Sequence, residues 1–194
     1  PTASMMSSII TSGGKASTSA KTYMNQLVVN FLAGKSLDAW QGNKFSDLGH
    51  EREPESRAFY ELLTDNNVDE VGFVYKDEKK LVGCSPDGLV DGGGCVEFKN
   101  PKASTMPDYL LSDDMPTCYK VQVQAQMWIT GSDWCDFMVY NPDLMAVHAA
   151  YGHKLFHVKR DEQFITTMSG MVNKFIAEML AKRNKMMELL EKKS

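Results

Sequence analysis

Between Ser17 and Leu32, apolar residues fall at Tyr23, Leu27, Val28, Phe31 and Leu32, at spacings of three and four that share one side of a helix. Ser17, Thr18 or Ser19 is the candidate cap and Gly34 the stop. Ahead of it, Met5 to Lys15 is rich in Ser, Thr and Gly and reads as a loop or frayed start. A polar connection runs to about Ser46, and Asp47 to Asn66 reads as a second helix capped by Ser46 or Asp47. Pro54 is tolerated near a first turn and kinks a helix further in, which allows a start later than Asp47.

Val68 to Tyr75 reads as a strand, with Asp77 to Lys80 as its turn. Leu81 to Cys84, Leu89-Val90 and Cys95 to Phe98 continue an antiparallel meander that Asn100-Pro101 stops. Lys102 to Pro116 is polar and broken by two prolines, a loop or short helix. Thr117 to Ile129 alternates Val and Gln as a strand would, but the Ala-Gln-Met that follows and the stop at Gly131 favour a helix. Asp133 to Tyr140 and Met145 to Val158 read as two strands around an Asn141-Pro142-Asp143 turn, the second bulged near Gly152. Asp161 opens a helix to about Lys192 with a Met-rich apolar stripe, suited to packing or to a subunit interface. This order predicts an α/β fold, a central mixed sheet flanked by helices on both faces.

The 194 residues suit one domain, 1–194, with a core of its own. No apolar run reaches the roughly 18 residues that span a bilayer, so no membrane partner is expected. Pro1 to Ser8 lacks the basic-then-apolar layout of a signal peptide. Cys84, Cys95, Cys118 and Cys135 form no Cys-x-x-Cys pair and suit a reducing cytoplasm. The net charge of −4 weighs only lightly against nucleic acid, because a metal site concentrates acids where a cation neutralises them.

The candidate chemistry lies in Gly83 to Lys99. A Ser85-Pro86-Asp87-Gly88 turn leads through Leu89-Val90 to a reversal at Gly92 to Gly94, then to Cys95-Val96-Glu97-Phe98-Lys99. Alternate strand residues share a face, so Glu97 and Lys99 point one way and Val96 and Phe98 the other. The hairpin returns Asp87 near Glu97. Two carboxylates and an ammonium in one small volume are costly unless something uses them, and a hard divalent cation such as Mg²⁺ takes carboxylate oxygens. Two neighbouring patterns carry two readings each. Glu53 and Arg57 share a helical face as a solvated ion pair, or Glu53 looks into the site as a third carboxylate. Tyr119, Gln122 and Gln126 form a solvent face, or a row that orients water, substrate phosphate and the lysine.

Pro86-Asp87 followed by Glu97-x-Lys99 is the pattern of the PD-(D/E)xK nucleases. With Gly49, Glu53 and Arg57, and with Tyr119-x-x-Gln122-Val123-Gln124-x-x-Met127-Trp128, it resembles the lambda-exonuclease-like (YqaJ) viral recombinase family. Tyr140-Asn141-Pro142 and Arg160-Asp161-Glu162 agree. The resemblance implies a restriction-endonuclease-like core and a phage alkaline exonuclease. Such an enzyme digests one strand of linear duplex DNA 5′-to-3′ to mononucleotides and leaves a 3′ overhang for single-strand annealing. It implies that Asp87, Glu97, the Phe98 carbonyl and Glu53 hold two Mg²⁺ ions, with Mn²⁺ a substitute. Lys99 would hold or deprotonate the attacking water, Gln122 position Lys99 or the nucleophile, Tyr119 line the site and Ser85 contact a substrate phosphate.

The resemblance also implies a homotrimeric ring threaded by DNA ends, a single-strand annealing partner and a cytoplasmic phage or prophage protein in a bacterial host. Lys15, Lys44, Arg52, Lys102 and Lys120 are the basic residues expected to face DNA. One departure stands out: relatives place an arginine before an Ile-Thr-Ser-like segment to grip the 5′-phosphate, and Pro1 to Ser12 holds no basic residue. Thr11, Ser12, Lys15 and Arg52 are the candidates to replace it. Two other readings remain, a non-ring-forming endonuclease or repair nuclease, and a metal-dead DNA-binding subunit.

Overall fold

The glycine tract closes the central hairpin as its spacing predicts. In the computed structural model, Gly92 and Gly93 take φ of 84° and 87°, a left-handed backbone that residues with a Cβ resist. They join β4 (Gly88–Val90) to β5 (Gly94–Lys99), antiparallel with Gly88 opposite Val96. The structure describes the backbone of residues 1–37 and 44–191, and side chains for 1–37 and 52–189.

Around this hairpin lie β1 (Val68–Asp69), β6 (Trp134–Tyr140) and β7 (His153–Lys159), in the order β1-β4-β5-β6-β7. Only β5 and β6 run parallel, joined by a crossover through α4 (Lys120–Thr130). The sheet is therefore mixed. The expected single meander is not formed. Val68 to Tyr75 breaks after β1, and Val74–Tyr75 (β2) pairs with Gly83–Cys84 (β3) in a separate two-stranded sheet.

The α4 helix explains its own Val–Gln alternation. Val121, Ala125 and Ile129 pack outward against the N-terminal segment and the long C-terminal helix, and Val123 and Met127 pack inward on the sheet. Gln122, Gln124 and Gln126 lie between these faces, and each finds a polar partner. The helix ends at Gly131 in the left-handed conformation.

On the outer side, α1 (Ala20–Ala33) packs on α7 (Glu162–Glu191), with Tyr23 and Phe175 stacked at 5.7 Å. The Ser-rich start is no frayed loop. Ala3–Ser8 forms a 3-10 helix whose Ala3 and Met6 are buried, as are the following Ile9 and Ile10, all against α4 and α7. On the opposite sheet face lies α2 (Lys44–Thr64), which starts before the expected caps Ser46 and Asp47 and carries Pro54 inside. Tyr60 of α2 is fully buried, and its hydroxyl donates to Asp136 at 2.7 Å, fixing the helix on the sheet. The connection at residues 38–43 and the side chain of Lys44 lie outside the described residues.

The expected strand from Met145 to Val158 is overturned over its first half. Asn141 accepts from the Leu144 N–H at 3.0 Å and Pro142 sits in the first turn, so the chain enters α5 (Pro142–Val147) instead. A short α6 (Ala149–Gly152) follows, and only His153–Lys159 is strand. Between β5 and α4, α3 (Met106–Leu110) is the short helix of the polar connection.

Candidate active site

The period-two alternation of β5 sets the site. Val96 and Phe98 enter the α2-side core, and Glu97 faces α4. One step beyond the Gly88–Val96 pair, Asp87 meets the end of the hairpin, and its Oδ2 accepts from the Phe98 N–H at 2.6 Å. Glu97 is 2% exposed. Its Oε1 accepts from Gln122 Nε2 at 2.6 Å and pairs with Lys99 Nζ, and its Oε2 accepts from Gln126 Nε2 at 2.5 Å. The Lys99 ammonium lies 5.5 Å over the Tyr119 ring, and the Tyr119 and Tyr109 hydroxyls are 3.4 Å apart.

Burial and the nearby Glu97 push the Asp87 carboxyl up to about 8, with Glu53 adding to the rise; the Phe98 N–H and Lys99 oppose it. For Lys99, burial favours the neutral amine, but Glu97 and Asp87 outweigh it and the net shift is upward. A lysine among cations is expected to shift downward; here carboxylates dominate its surroundings. The half-buried Asp87 and the buried Glu97 are mutually repelling oxygen donors that a hard cation would relieve, so the donor chemistry fits a divalent metal. Among the described residues, no three His, Cys, Asp or Glu side chains gather as a cluster able to hold one.

Glu53 is not a freely solvated ion-pair member. Arg57 Nη2 reaches Glu53 at 3.1 Å and the Asp87 carbonyl at 3.3 Å, and Nη1 pairs with Glu70. The Arg57 side chain is 13% exposed, so it ties α2 and Glu53 to the turn that carries Asp87.

The structure also shows what lies beside this cluster. A cavity of about 140 Å³ is lined by Thr2, Ala3, Ser4, Phe73, Cys84, Ser85, Gln122 and Gln126. Ser85 and Gln122 are among the lining residues. Thr11 and Ser12 are not: Ser12 lines a different cavity with Lys120 and Asp161. Arg52 does not line the Ser85 cavity either, and pairs with Asp143 of α5 at 3.3 Å. Lys120 is engaged with Asp161 at 3.4 Å and lies over the Phe164 ring. Sequence reasoning missed Ser4 and Thr2, and it gave Gln126 no contact with Glu97. Spacing was the available signal for Gln126, four residues after Gln122 on the same helix.

The model of the YqaJ-like viral recombinase domain matches residues 1–133, more than half of the chain. The chain belongs to this family. An alkaline exonuclease (LHK-Exo) from Laribacter hongkongensis is 29% identical, with a TM-score of 0.88 over all of this chain and 94% of its own. The same exonuclease in complex with dAMP is 30% identical with a TM-score of 0.87 and the same coverage. A phage-related exonuclease from Haemophilus somnus 129PT shares the fold at 15% identity, with a TM-score of 0.74 over 93% of this chain. An uncharacterized protein, R354, of Acanthamoeba polyphaga mimivirus is 29% identical over 109 residues, half of this chain; the match spans about a fifth of that protein, 20%. Family and neighbours support a nuclease enzyme with an α/β fold, a five-stranded mixed sheet between helices. No helix among the described residues is long and apolar enough to cross a membrane.

Proposed function

We propose that the chain is a single-domain, Mg²⁺-dependent 5′-to-3′ exonuclease. It digests one strand of linear duplex DNA to mononucleotides and leaves a 3′ overhang for an annealing partner, with homotrimeric assembly and residence in a bacterial host's cytoplasm. The observation that carries this reading is the Asp87–Glu97–Lys99 cluster on one hairpin, in a chain that matches an alkaline exonuclease over its whole length.

Asp87, Glu97 and the Phe98 carbonyl would hold the metal, with Glu53 reaching it directly or through water. Bound there, Mg²⁺, or Mn²⁺ in its place, supplies neutralisation of the charge that builds on the scissile phosphate and leaving oxygen. Gln122 and Gln126 hold both Glu97 oxygens, fixing its orientation. Lys99 holds the attacking water, with Tyr119 beneath its ammonium. Ser85, Ser4 and Thr2 offer hydroxyls to the terminal phosphate in place of an arginine.

Three outcomes test these roles. Gln126→Leu removes the donor to Glu97 Oε2 and is expected to lower Mg²⁺ affinity or turnover about 10- to 100-fold, the usual effect of losing a group that orients a metal ligand; an unchanged Mg²⁺ titration contradicts it. Linear duplexes labelled at the 5′ or 3′ ends test polarity. The 5′ label is expected to leave first as a mononucleotide, and Ser4→Ala to cut the preference for 5′-phosphorylated over 5′-hydroxyl ends about tenfold, since a hydrogen bond to a charged group is worth about 1.5–3 kcal/mol. Earlier release of the 3′ label overturns the polarity. A Ser4→Ala preference equal to the wild type's overturns the phosphate role.

A further inference from the structure

We infer that Phe73 is the platform on which the base of the departing terminal nucleotide stacks, an inference that rests on the nuclease reading above. Phe73 lines the same small cavity as Ser4, Ser85 and Gln122. The core phenylalanines are buried, but Phe73 is 47% exposed. Its position is nevertheless built. It immediately precedes β2, and the Tyr75 ring meets it edge-on at 4.9 Å and 68°. The β2–β3 ladder sets Tyr75 opposite Gly83. A Cβ on Gly83 would lie 2.2 Å from Phe73 Cε1 and 2.6 Å from Cζ, so the ring rests on bare backbone that only glycine provides.

Size and lining divide the ligand between two zones. At about 140 Å³ the cavity is smaller than the roughly 300–1,000 Å³ of pockets that enclose whole small-molecule ligands. Its hydroxyl and amide lining suits a phosphate and sugar. The base must then lie outside it, and at this rim the exposed aromatic face is Phe73. Stacking on an aromatic side chain accepts any base, because every base presents a π-face. A sequence-tolerant grip of this kind is what a nuclease that removes every nucleotide in turn requires.

The test compares wild type, Phe73→Leu and Phe73→Trp on 5′-phosphorylated linear duplexes whose terminal nucleotide carries a base or is an abasic analogue. On natural ends, Phe73→Leu is expected to raise KM roughly ten- to hundredfold with kcat little changed, and Phe73→Trp to restore it. Wild type is expected to lose a similar factor on the abasic end, where Phe73→Leu loses nothing further. An equal penalty for Phe73→Leu on both ends, or no restoration by Phe73→Trp, overturns the stacking role. In F73W, dAMP is expected to quench the fluorescence introduced at that position, and no quenching counts against the inference even if no duplex is cleaved. Wild-type protein that cleaves nothing overturns the nuclease reading instead.

Discussion

Asp87→Asn and Glu97→Gln are each expected to reduce Mg²⁺-dependent cleavage by at least about a thousandfold while duplex binding survives or tightens. Asp87→Asn keeps an oxygen to accept from the Phe98 N–H, so the hairpin stays folded. Glu97→Gln keeps the shape and one acceptor oxygen, while an amide nitrogen replaces the other, facing Gln122 or Gln126. What they remove is the full carboxylate that a cation would take. A Lewis-acid metal is worth several kcal/mol of transition-state stabilisation, and each 1.4 kcal/mol is about tenfold in rate. Replacing a carboxylate with an amide also lessens repulsion of the phosphate backbone. Single-turnover cleavage alongside filter binding separates the two effects. Retained turnover in either variant contradicts the assignment of these carboxylates.

Lys99→Ala is expected to slow cleavage about 100- to 1,000-fold, the cost of losing one preorganised donor at the reacting centre. It should leave the Mg²⁺ midpoint much closer to the wild type's. Glu97 keeps its two amide donors without Lys99, so its orientation should persist. A Mg²⁺ titration of the single-turnover rate reads both quantities. A wild-type rate removes Lys99 from the chemistry; a rate fully rescued by excess Mg²⁺ makes it an organiser of the metal ligands alone.

Much of the site was legible because it depends on short-range geometry. Glu97 and Lys99 share a side because strands alternate, and the glycine tract returns Asp87 to them. The helical reading of Thr117 to Ile129 also holds from Lys120 on, after a 3-10 turn at Thr117–Tyr119, since two apolar faces and three partnered glutamines fit one buried helix. Long-range placement was less legible. Val68 and Tyr75 belong to different sheets, which local β propensity does not distinguish. Asn141-Pro142 looks like a turn between strands but caps a helix. The N-terminal segment has loop-like composition, yet Met6 and Ile10 are fully buried, and that burial brings Ser4 and Thr2 beside Ser85. Neither Thr11 nor Ser12 lines the Ser85 cavity, and Ser12 lies at another. Arg57 reads locally as a surface pair, and its bond to the Asp87 carbonyl depends on tertiary packing.

The most direct test of the central claim is digestion of linear duplex DNA against a covalently closed circle of the same sequence, with Mg²⁺ and with EDTA. The account predicts Mg²⁺-dependent release of mononucleotides from the linear form, an intact circle, and no product in EDTA. Nicking of the circle would contradict the exonuclease and favour an endonuclease on the same fold. Binding without cleavage in any condition would contradict the catalytic role and favour a DNA-binding subunit.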